Sequence, residues 1–174
     1  MKAEELRSIQ APLKDRYRSS PGSALVTLHA EGRLGEGVSC KVETGKAPVV
    51  AGLHPATGGN GMSACSGDML LEALVACAGV TLGAVATSLG IELRDATLRA
   101  EGDLDFRGTL GVSKETPVGI QNIRLLITLD TDAPQERIDT LIRLTERYCV
   151  VFQTLSHPPV LSVAHERSIP PQAV

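Results

Sequence analysis

Residues 68–89 read DMLLEALVACAGVTLGAVATSL, and this stretch decides the architecture. It contains no proline, is rich in Leu and Ala, and is followed by Gly90, the residue type that most easily takes the left-handed turn closing a helix. The pattern predicts a helix over Asp68–Leu89, with Ser66 or Asp68 capping amides that have no partner within the helix. Apolar residues lie all round it, so burial on nearly every side is expected. About 20 apolar residues also suffice to cross a bilayer. Asp68 and Glu72 in the first turns, Thr81, Thr87 and Ser88 later, and the lack of Lys or Arg at the immediate ends favour a core helix over a membrane span.

The chain on either side reads as strands and one more helix. Residues 1–20 form a helical arm interrupted by Pro12, and Ser19–Ser23 a turn. Ala24–Glu31 and Gly37–Val42 alternate as two strands around the glycine-rich turn Gly32-Arg33-Leu34-Gly35-Glu36-Gly37. Val49–Leu53 is a third strand, and Pro55–Ser66 a loop. Beyond the central helix, Glu92–Asp105 and Ile120–Leu129 are strands separated by the loop Arg107–Gly119. Asp130-Thr131-Asp132-Ala133-Pro134 opens a second helix running to about Thr154. Ile138, Leu141, Ile142, Thr145, Tyr148, Cys149 and Phe152 share one of its faces. His157-Pro158-Pro159 stops that helix, and Val160–Val163 is a last strand. This order is α+β, helices packed on antiparallel sheet, in one domain of 174 residues.

Composition narrows the function. Lys plus Arg is 17 against 20 Asp plus Glu, a formal net charge of −3, without the basic excess of a nucleic-acid binder. Aromatic residues are 2% and Trp is absent, so no base-stacking platform is expected. The N-terminal MKAEELRSIQ lacks an apolar run, which reads as a cytoplasmic protein with reduced thiols. His29, His54, His157 and His165 are scattered with no zinc-like spacing, so neither a metal nor an organic cofactor is expected. The glycines at 58, 59 and 61 do not form a phosphate loop.

Four cysteines remain. Cys40 lies in a strand and reads as a small buried hydrophobe. Cys65, just before the central helix, is either a loop or core cysteine or a third redox thiol. Cys77 is flanked by Ala76, Ala78 and Gly79, which leave room around its sulfur. Cys149 lies near the end of the second helix. Both fall on apolar helix faces and point inward, where two thiols can meet. Such a pair serves a two-cysteine peroxidase, in which one thiolate becomes a sulfenic acid and the other thiol condenses with it. Two core cysteines give the same periodicity, so spacing alone leaves both readings open.

The segments PLKDRYRSSPGSA, GDMLLEALVACAGVTLGAVATSLGIEL, GDLDFRGTLGVSKETPVGIQNIRL and LIRLTERYCVVFQTLSHPPVLSV together resemble the OsmC/Ohr family over residues 12–163. The resemblance implies an intertwined homodimer in which antiparallel sheets wrap around the long central helices, with active sites at the subunit interface. It also implies a thiol peroxidase that reduces organic hydroperoxides, and hydrogen peroxide less well, at the expense of a dithiol such as a dihydrolipoyl group. By position in the motifs, Cys77 takes the peroxidatic place, Cys149 the resolving place, and Arg33 the place of the activating arginine in a Gly-Arg turn. The chemistry asks for a cation, because a thiol of pKa ~8.5 is only about 3% thiolate at pH 7. A guanidinium both lowers that pKa and steadies the departing oxygen.

Two positions depart from the family pattern. The glutamate usual ten residues before the peroxidatic cysteine is Gly67 here, with Asp68 beside it. Asp68 is roughly half a turn out of phase with Cys77 and is as readily a helix cap as a site residue. The Cys-Pro usual at the second cysteine is Cys149-Val150. These departures keep two rival readings in view: a non-enzymatic dimer binding a small apolar ligand at the subunit interface, and a stress-associated structural dimer.

Overall fold

Residues 95–105 alternate with period two: Ala96, Leu98, Ala100, Gly102 and Leu104 on one side, Asp95, Thr97, Arg99, Glu101 and Asp103 on the other. A chain that alternates in this way lies flat on a core with its polar side outward. In the computed structural model, which describes residues 3–34, 40–42, 51–62 and 64–165, Asp95–Asp105 is the central strand β3, and from Ala96 to Leu104 the even-numbered residues are the buried ones. β1 (Leu25–Leu34), β2 (Cys40–Val42) and β4 (Gln121–Asp130) complete an antiparallel sheet in the order β2-β1-β3-β4. The register pairs Ala30 with Ala100, Gly32 with Leu98 and Arg33 with Thr97, while Leu98 faces Ile127 on β4.

The helix α2 (Ser66–Leu89) lies across the buried face. Leu71, Leu74, Val75, Ala78, Gly79, Leu82 and Ala86 form one stripe along it, and all are buried. Each large aliphatic side chain removed from water in this way contributes roughly 2 kcal/mol. Gly102 of β3 sits beneath this stripe. A Cβ there would approach Leu71 Cδ2 at 3.6 Å and collide with Ile120 Cγ2 at 2.4 Å. The outer face of the sheet is ionic: Arg124 donates to Asp103 at 2.9 Å and to Glu101 at 3.3 Å, and Arg99 pairs with Glu101 at 2.9 Å. α2 is long and apolar enough to cross a membrane, yet its largest side chains are spent on the sheet.

Several expectations change here. α1 (Ala3–Ser19) runs straight through Pro12 and is docked, not a loose arm. Tyr17 is fully buried and its hydroxyl donates to the Ala56 carbonyl at 2.6 Å. α2 ends at Gly90 in the left-handed conformation (φ 61°) as its sequence implies, but its N-cap is Cys65, so Ser66 and Asp68 lie inside the first turn. α2 is also not buried all round: Met69, Leu70 and Val80 are 36%, 40% and 40% exposed. Gly32 and Arg33 belong to β1, which runs to Leu34, and residues 35–37 of the expected turn lie outside the described residues. Of the strand expected at Val49–Leu53, residues 49–50 lie outside the described part, and Ala51 makes only an isolated parallel bridge to Ala64.

On the C-terminal side, the loop after β3 begins with the short helix α3 (Phe106–Thr109). The second long helix is broken into α4 (Gln135–Tyr148) and α5 (Val150–Ser156). Val160–Val163 is not a strand but an exposed, irregular segment.

Candidate functional site

Cys77 sits at the start of the fourth turn of α2, at the seam between the packed stripe and the exposed one. Its neighbours Leu74 and Ala78 are buried, Ala73 and Val80 are exposed, and the cysteine itself is half-buried. Small residues on either side, Ala76 and Ala78, keep the approach to its sulfur open.

Cys149 occupies the break between α4 and α5, with φ −71° and ψ 107°. Two β-branched residues, Val150 and Val151, follow it and weaken helix continuation there. Cys149 serves both fragments. Its N–H donates to the Thr145 carbonyl at 2.9 Å, its carbonyl accepts from Gln153 N–H at 2.9 Å, and its Sγ accepts from Phe152 N–H at 3.4 Å. The residue is 1% exposed.

The two thiols meet. The Cys77 side chain lies beside Cys149, and burial, reinforced by the neighbouring Cys77 thiol, pushes the Cys149 thiol from its ordinary value near 9.0 up to about 11. The Phe152 N–H opposes this rise but does not cancel it. Cys149 is therefore protonated at neutral pH, and its S–H can donate to the Cys77 sulfur. Cys149 also lines a cavity of about 230 Å³, walled by Leu125, Ile127, Ile142 and Phe152, with Ala78, the residue after Cys77, and Glu146 in its lining. Ile142, Cys149 and Phe152 lie on a helix face legible in the sequence; the cavity that they make with β4 was not.

The other sequence candidates lie elsewhere. Residue 33 pairs with Thr97 in the register of β1 and β3. Asp68 is across α2 from Cys77 and one turn from Glu72, whose carboxyl is raised by burial first and by the Asp68 charge second. Cys65, at the start of α2, is separated from Cys77 by twelve residues of helix, about 18 Å along the axis, so it does not join the pair as a third thiol. It instead lines a separate cavity of about 420 Å³ together with His54 and Phe106, whose rings stack with centroids 4.8 Å apart. Cys40 is the first residue of β2, paired with Leu34.

Comparison with known proteins agrees with this fold. An OsmC-like hydroperoxide resistance protein from Jannaschia sp. CCS1 superposes with a TM-score of 0.57 at 17% identity, over 85% of this chain and 96% of that one. No curated protein matches the chain. The family model described as OsmC-like protein matches residues 58–164, from the loop before α2 to the segment after α5. With more than half of its length matched, including both thiols that meet, this chain belongs to the OsmC-like protein family.

Proposed function

We propose that the protein is a thiol peroxidase that reduces organic hydroperoxides, and hydrogen peroxide less well, in oxidative-stress defence in the cytoplasm. The observation that carries this reading is the contact between the Cys77 and Cys149 thiols, one at an open helix seam and the other buried and protonated. The Cys77 thiolate attacks the terminal peroxide oxygen, the O–O bond breaks, and the alkoxide leaves with a proton as the alcohol. Cys77 is then a sulfenic acid. The Cys149 sulfur attacks the Cys77 sulfur, water leaves, and a disulfide joins them. A dithiol returns both cysteines to thiols and is itself oxidised to a disulfide. No organic cofactor or metal takes part, since sulfur carries both electrons.

The working unit we propose is a homodimer. Met69, Leu70, Ala73, Val80 and Ala84 form an exposed small-to-apolar stripe along α2, and a second copy of this chain covers it, bringing the Cys77 seam to a subunit boundary. Arg33, taken from its place in the family motif, steadies the Cys77 thiolate.

A second reading is an apolar-ligand-binding dimer without catalysis, favoured by Gly67 at the family's glutamate position and by the aliphatic cavity. Peptide mass spectrometry after about one equivalent of cumene hydroperoxide decides between them. The peroxidase forms a Cys77–Cys149 disulfide within seconds, and Arg33→Ala slows its formation. If Cys77 stays a free thiol under excess peroxide, the ligand-binding reading takes its place.

A further inference from the structure

The cavity that Cys65 lines holds about 420 Å³, nearly three times the ~150 Å³ that takes a benzene and within the roughly 300–1,000 Å³ of small-molecule sites. Leu53, Leu104, Phe106, Val118 and Ile120 supply apolar walls, and none of its described lining residues is Asp, Glu, Lys or Arg. Val118 is 62% exposed, which puts it at the mouth. Polar groups come from the stretch 54–66, where His54, Thr57, Cys65 and Ser66 line the space. His54 is held in place. Its ring stacks on Phe106, its Nδ1 accepts from the Ala56 N–H at 3.0 Å, and Thr57 Oγ1 donates to its carbonyl at 2.9 Å. α1 braces the same turn, Tyr17 donating to the Ala56 carbonyl and Gln10 to the Thr57 carbonyl at 3.3 Å. Because Nδ1 is an acceptor, the ring proton sits on Nε2. That N–H finds no acceptor among the described residues.

We infer that this cavity is a second binding site, for an uncharged ring compound that carries a carbonyl oxygen: the apolar walls take the ring, and the His54 Nε2–H donates to the oxygen. The site uses neither Cys77 nor Cys149, so it stands apart from the peroxidase proposal. With no charged side chain in the lining, a carboxylate or an ammonium loses its water there and gains no counter-charge. A bare hydrocarbon fills the same walls but leaves the imidazole N–H without a partner, and that difference selects the carbonyl compound. The bracing of His54 by its neighbours means that binding has little left to order. Cys65 reports occupancy. Its side chain makes no cap hydrogen bond to α2 and is only partly buried, so a molecule in the cavity covers a sulfur that reagents otherwise reach.

The test uses the reduced full-length protein, with 1-tetralone as the carbonyl probe and 1-methyltetralin as a hydrocarbon of the same size. Alkylation of each cysteine by iodoacetamide is followed by peptide mass spectrometry across a titration of either probe. Saturating 1-tetralone is expected to slow alkylation of Cys65 at least fivefold and to leave the rate at Cys77 unchanged. His54→Phe keeps a ring against Phe106 and removes the donor, and it is expected to weaken 1-tetralone at least fivefold relative to 1-methyltetralin. Val118→Trp, at the exposed mouth, fills the space and is expected to abolish protection by both probes with circular dichroism unchanged. Protection of Cys77 instead of Cys65, no protection of Cys65 by 1-tetralone, or a ratio of the two dissociation constants unmoved by His54→Phe overturns the inference. Wild-type protection in Val118→Trp overturns it as well.

Discussion

The thiol of Cys77, midway along α2, lies beside the thiol of Cys149, at the break between α4 and α5, and adds to the burial that raises the Cys149 pKa. Cys149 is the buried member and Cys77 the one at the open seam, so the two sulfurs have different access to oxidants. With Cys149→Ser, Cys77 sulfenic acid has no partner and is expected to pass to sulfinic and sulfonic acid under excess peroxide. Intact mass should then rise in steps of one oxygen. In Cys77→Ser, the buried and protonated Cys149 is expected to gain no oxygen on the same timescale. Oxidation of Cys149 in that variant would contradict the assigned order.

Burial of Cys149 also makes stability depend on alkaline pH. Its pKa is about 11 in the folded chain against about 9.0 in the unfolded one. Between those values the unfolded chain loses a proton that the folded chain keeps, so stability falls as pH rises. The contribution is fully present below about pH 9 and is lost by about pH 11, an effect on the order of 2 kcal/mol. Urea unfolding at pH 8, 9, 10 and 11 measures it. Cys149→Ala should flatten this alkaline slope.

The exposed stripe on α2 offers a test of assembly. Val80 is 40% exposed in the single chain, so Val80→Glu should leave a monomer folded, with circular dichroism unchanged. In a dimer, the same carboxylate is forced into an apolar interface without a partner, a cost of about 3 kcal/mol or more. Light scattering should show the dissociation constant raised at least a hundredfold. A variant whose dimer is as tight as wild type would place the interface elsewhere.

The N-terminal helix contributes through one residue. Tyr17 is fully buried, and its hydroxyl donates to the Ala56 carbonyl, tying α1 to the loop before α2. Tyr17→Phe keeps the ring and leaves that carbonyl short of a donor, for a loss of about 1 kcal/mol. Tyr17→Ala also opens a cavity and should cost about 3–5 kcal/mol. Denaturant midpoints of the two variants separate ring from hydroxyl, and equal losses would mean that packing of the ring is not what holds α1 down.

Some of this protein was legible from residue order alone. The Leu- and Ala-rich run ending at Gly90 predicted α2 and its end, because a proline-free run closed by a left-handed glycine leaves few alternatives to a helix. Alternation of Ile123, Leu125, Ile127 and Leu129 likewise predicted the strand β4 and its half-buried face, since a period of two puts neighbouring residues on opposite sides. These are local rules, and each needs only residues near in the chain.

What the tertiary structure decided is non-local. Periodicity placed Cys77 and Cys149 on inward faces but left open whether they touch; the packing of α2 against α4 and α5 brought the two sulfurs together. The expected continuous helix breaks at Cys149 because two valines disfavour it and because the cysteine's own sulfur and carbonyl take up the amides of the next turn. All-round hydrophobicity in α2 suggested burial on every side, whereas one chain supplies a sheet for only one side. A sequence repeats its pattern along one element, while a site is made where elements distant in the chain exclude water together, and only the fold determines that meeting.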